Sequence, residues 1–68
     1  MMIGDNIKYF AERRGMSPYK LAKETEISNS YLSDLINGKQ NNPSIDIIKK
    51  ISKALDVAVD ELISERSD

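Results

Sequence analysis

Between Pro18 and Ile36 the chain carries two short apolar helical patterns separated by only Thr25, Glu26 and Ile27. A connection this short argues against antiparallel packing, so the two helices are expected to cross steeply and bury the crossing against other elements. Leu21, Ala22, Ile27, Leu32 and Leu35 offer the apolar contacts, and Ala22 is small enough for the point of closest approach. The second helix of the pair is left protruding, with its polar residues outward. The rest of the chain must provide the surfaces against which such a crossed pair packs.

Those surfaces are readable from periodicity and capping. Ile3, Ile7, Phe10 and Ala11 form one stripe of a first helix ending at Gly15. Ser17 and Pro18 are an N-cap and first helical residue of a second helix, with Met16 placed to staple onto Leu21. Ser28 repeats the pattern, with Ile27 and Leu32 as the staple. The third helix has Leu32, Leu35 and Ile36 inward, is about ten residues long and is closed by Gly38 after Asn37. Lys39 to Pro43 is a polar loop. Ser44 caps a fourth helix with Ile45, Ile48, Ile51 and Leu55 inward. Val57, Val59, Leu62 and Ile63 predict a short fifth helix with Asp60 and Glu61 at its positive end, but a poor cap. From Ser64 onward nothing can be buried, so the expected domain is residues 1–64 with a frayed acidic tail at 65–68.

Sixty-eight residues form only one domain, and its core is already small for the backbone entropy it must offset. There is no Cys and no His, so neither disulfides nor the usual zinc and iron ligands can assist, and no metal or cofactor is expected. The same absence leaves every serine without a conventional base, which argues against an enzyme. No apolar run approaches a membrane span and the start lacks the regions of a signal peptide, so a soluble, cytoplasmic protein is expected. The net charge of -1 hides a division: residues 1–55 hold nine basic and six acidic side chains, whereas residues 56–68 hold one and five. A moderately basic body is compatible with DNA, although solvated helix faces give the same counts.

Taken together, Ile7-Lys8, Gly15-Met16-Ser17, Leu21-Ala22, Ile27-Ser28, Ser30-Tyr31-Leu32-Ser33, Asn37-Gly38-Lys39, Asn42-Pro43-Ser44, Leu55-Asp56-Val57 and Asp60-Glu61-Leu62 resemble the Cro/repressor-type (XRE) helix-turn-helix family, and within it the SinR-like bacterial regulators. The resemblance covers nearly the whole chain. It implies an all-α, compact five-helix, lambda-repressor-like DNA-binding domain whose third helix reads bases and whose neighbouring helix starts grip phosphates, commonly in a transcriptional repressor. Three departures stand out. Pro18 replaces a glutamine that the family uses on DNA. Glu26 replaces a glycine in a turn that wants a left-handed residue, at a cost on the order of 1 kcal/mol. Ala11 and Ile36 replace an arginine and glutamate pair, and an apolar contact between them is a sound structural alternative.

On this reading Asn29, Ser30, Ser33 and Asn37 are the base-reading candidates, because Asn can pair with adenine N6 and N7 and serine can donate or accept. The same side chains could also be plain solvated positions, most evenly so for Ser33 and Asn37. Asp34 is expected to repel phosphate sooner than to read cytosine, and Tyr31 to pack sooner than to reach a phosphate. Ser17, Tyr19, Ser28, Lys39, Gln40, Asn41 and Ser44 are the phosphate-contacting candidates, clustered where helix N-termini attract anions. The expected partner is a double-stranded DNA operator with an inverted repeat, bound by a weak homodimer that DNA completes through the end bearing Val59, Leu62 and Ile63. No membrane partner is expected. The rival reading is an antitoxin or anti-regulator whose main partner is another protein.

Overall fold

Four helices of this chain end by the same device, and the device sets the angles of the fold. The computed structural model describes residues 3–64 and contains α1 (Ile3–Arg13), α2 (Pro18–Thr25), α3 (Asn29–Ile36), α4 (Ile45–Leu55) and α5 (Val59–Ile63). After each of α1 to α4, an amide bonds the carbonyl five residues back: Met16 to Ala11 at 2.9 Å, Ile27 to Ala22 at 3.1 Å, Lys39 to Asp34 at 2.8 Å and Val57 to Ser52 at 3.0 Å. This closure needs a left-handed residue just before the donor. Gly15 and Gly38 take that conformation freely, but Glu26 (φ 61°) and Asp56 (φ 57°) take it as well.

Met16, Ile27 and Val57 therefore finish one helix and immediately precede the cap of the next. Ser17, Ser28 and Ser44 hydroxyls accept from the N–H of Lys20, Tyr31 and Ile47 at 3.1, 3.1 and 3.4 Å. Ala58 has no such oxygen, and Glu61 Oε1 compensates by accepting from the Ala58 N–H at 2.9 Å. The strain at Glu26 yields a direct expectation. Glu26→Gly should stabilise the domain by about 1 kcal/mol, read as a thermal midpoint raised by about 5 °C.

The core gathers Ile7, Leu21, Leu32, Leu35, Ile51, Leu55 and Leu62, all at most 1% exposed. α1 lies against α3, α4 and α5, and α2 packs between α3 and α4. Gly4 brings the α1 backbone onto the end of α3, where a Cβ would collide with the carbonyl oxygens of Leu35 and Ile36. Asn6, fully buried, donates from Nδ2 to the carbonyls of Leu62 (2.6 Å) and Ser64 (2.9 Å), which ties α5 to α1. Arg14 donates to the Leu55 and Asp56 carbonyls at 2.6 and 3.1 Å, closing the negative end of α4 with a cation.

Several expectations need correction. Ile45 is 55% exposed, because each three-residue step falls about 60° short of a full turn and two such steps carry it off the Ile51 stripe; Ile47 shares the inner face in its place. α3 has eight helical residues and not ten. Ser64 is not loose, since its carbonyl is held by Asn6. The tail expected at 65–68 lies outside the described residues. Ala11 and Ile36 both line one groove of about 300 Å³, shared with Met16 and Pro18. No strand occurs among the described residues, and no helix there is long and apolar enough to cross a membrane.

Candidate nucleic-acid interface

The eight-residue α3 is pinned at both ends and on one side. Ser28 caps its start, the Gly38 closure ends it, and Leu32 and Leu35 anchor it in the core, flanked by half-buried Tyr31 and Ile36. All that remains faces outward. Asn29, Ser30, Ser33, Asp34 and Asn37 are exposed. Asn37 Nδ2 donates to Ser33 Oγ at 3.3 Å, so those two candidates form a unit. Asn29, as the first helical residue, sits toward the edge of the face, and Ser30 near its middle. Tyr31 packs against the core, as expected.

The phosphate-contacting candidates of α2, α3 and α4 lie at helix starts. Ser17, Ser28 and Ser44 are exposed caps. Each hydroxyl accepts a backbone N–H internally and keeps its own O–H to donate. Tyr19, in the first turn of α2, is 66% exposed and keeps its hydroxyl at the surface. In the loop, the Lys39 and Gln40 amides both donate to the Asp34 carbonyl, at 2.8 and 3.1 Å, while Gln40 Oε1 accepts from the Asn42 N–H at 3.1 Å. Gln40 is thus partly spent on shaping the loop, whereas Lys39 and Asn41 stand exposed.

No Lys or Arg occurs from Asn29 to Gly38. Arg14 is occupied at the end of α4, and the Arg13 guanidinium lies 5.3 Å from the Tyr9 ring centroid. Sequence reasoning did not find Gly4, Asn6 or Arg14 as structural residues. A glycine and an amide inside an otherwise regular amphipathic helix were the available signals for the first two.

A helix pair crossed through a left-handed joint, with the second helix presenting a polar and unshared face, defines a helix-turn-helix unit. Residues 7–62 match the helix-turn-helix family, and the chain belongs to it. It is 39% identical over 67 residues to the HTH-type transcriptional regulator SinR of Bacillus licheniformis, a match covering 98% of this chain and 60% of that protein. It is similar to SinR in a SinR/SinI protein complex, with a TM-score of 0.91, 41% identity and coverage of 94% of this chain and 62% of that one. SinR in complex with DNA, described as the master regulator for biofilm formation, gives a TM-score of 0.90 at 40% identity, covering 93% of this chain and 100% of that one.

Proposed function

We propose that this domain binds double-stranded DNA in a sequence-dependent manner as the DNA-binding part of a cytoplasmic transcriptional regulator, a repressor, without catalysis. The observation that carries the reading is the wholly polar outer face of α3, held rigidly and bordered by the capped starts of α2 and α4. An α-helix fits the major groove, whose width is about 12 Å. Ser17, Tyr19, Ser28, Lys39, Asn41 and Ser44 would then meet phosphates through O–H, N–H and ammonium donors, with Gln40 contributing chiefly to loop shape. That SinR, a chain of this fold, is solved in complex with DNA supports DNA as the partner.

One copy touches too few base pairs for the affinity of a regulator, so two copies are proposed on an inverted repeat. Their pairing surface is smaller than the sequence suggests. Leu62 is entirely consumed by the core, while Ile63 is 52% exposed and lines a shallow groove with Ile3, Pro43 and Ile48. A weak dimer completed on DNA fits so small a patch.

The test is a binding selection on random duplexes followed by titration of single variants. Asn29→Ala should flatten preference at one or two base positions and weaken the best site by about 1 to 3 kcal/mol. Lys39→Ala should weaken all duplexes alike and lower the salt slope by about one. Failure of the wild-type protein to enrich any sequence would sink the reading.

A further inference from the structure

The outer face of α3 has two flanks, and only one is satisfied within the protein. With Leu32 and Leu35 at its inner side, a step of about 100° per residue puts the outward line of the helix along Ser30 and Asn37. Ser33 then lies about 50° to one side and Asp34 about 50° to the other. Ser33 is hydrogen-bonded to Asn37. Asp34 is exposed and makes no ion pair with any described residue. Its backbone is nevertheless fixed, because its carbonyl holds both the Lys39 and Gln40 amides.

We infer that Asp34 is a specificity-determining residue that selects a cytosine in the DNA half-site. This rests on the proposed entry of α3 into the major groove. A short side chain as near the outward line as Ser33 is carried toward the base edges on the groove floor, and away from the phosphates along its walls. On that floor a carboxylate is repelled by guanine N7 and O6, adenine N7 and thymine O4, and is bonded only by exocyclic amino groups. Adenine sets its amino group beside the N7 acceptor. Cytosine sets its N4 amino group beside C5–H, so, unlike adenine, it adds no acceptor of its own ring next to the amino group that receives the carboxylate. The expectation from sequence, that Asp34 repels phosphate sooner than it reads cytosine, is thereby reversed, and the acidic side chain becomes a reading group.

The experiment is the same selection run in parallel with wild type, Asp34→Ala, Asp34→Asn and Asn29→Ala, each checked for an unchanged thermal midpoint. Wild type should prefer cytosine at one half-site position by about tenfold. Asp34→Ala should reduce that preference to within about twofold and leave the other positions intact. Asp34→Asn should move the preference at that position to adenine, which an amide can pair through N6 and N7. If Asn29→Ala alters the profile while both Asp34 variants leave every position unchanged, or raise binding to all sequences alike, the inference is overturned and the DNA-binding reading stands. If no sequence is enriched by wild type, both fall together.

Discussion

Gly4→Ala is expected to remove a large part of the stability of this domain. The added methyl would collide with two backbone carbonyl oxygens, that of Leu35 and, at 2.7 Å, that of Ile36. Neither can step aside, because the end of α3 is locked by the Gly38 closure and by Leu35 in the core. α1 must retreat instead, opening the interface around Ile7. Overpacking against backbone costs about 3 kcal/mol, and a chain of this size holds only about 3 to 10 kcal/mol in total. Urea denaturation should show the midpoint lowered by about 2 to 3 M, given a slope near 1 kcal/mol per molar for so small a protein. Asp5→Ala, on the neighbouring exposed position, should change stability by less than about 0.5 kcal/mol. Equal midpoints for Gly4→Ala and wild type would show that α1 does not rest on α3 in this way.

Asn6→Asp should be nearly as damaging at neutral pH, and the damage should depend on acidity. The Asn6 amide donates to two carbonyls at the end of α5, and the site is closed to water. A carboxylate there would face those oxygens with no proton to give, a loss of about 3 kcal/mol. Burial and the carbonyl dipoles both raise the introduced carboxyl's folded-state pKa above its unfolded value of about 3.9. The folded state then holds the proton more tightly. The charge-dependent part of the loss is absent below the unfolded pKa, where the protonated group can donate its one proton to Leu62, and is fully felt once pH has risen through the folded pKa. The measured stability difference from wild type should therefore shrink from pH 7 toward pH 4. A difference independent of pH would show that the side chain reaches solvent.

What was legible in the sequence was local. Serine caps at Ser17, Ser28 and Ser44, each following or preceding an apolar run, mark helix starts through contacts three residues apart, and all three form as read. Glu26 was legible as a left-handed position through the resemblance, which implies a glycine in that turn. Asp56 does the same work at the end of α4 and went unread, since an aspartate gives no signal where a glycine would. The hidden contacts are those between distant residues. Asn6 meets Leu62 across 56 positions and Arg14 meets Leu55 across 41, and no local pattern encodes either pairing. Ile45 was misread because composition says apolar while helical phase says outward. For the interface, exposure followed from the motif, but the Ser33–Asn37 bond and the inward turn of Gln40 depend on side-chain geometry that residue types alone do not specify.

The lack of a cation on α3, with Arg14 occupied elsewhere, bears on how such a domain would find its site. Random DNA holds a protein almost wholly through cations that displace counterions, and that hold is what permits sliding. An α3 face built from hydroxyls, amides and one carboxylate adds little to that hold and leaves it to a few outlying cations such as Lys39. The domain's search would proceed by repeated short collisions from solution, with few long excursions along the duplex. Little of the protein would be sequestered on the bulk of a chromosome, and occupancy of the matching site would track the free concentration of the protein closely.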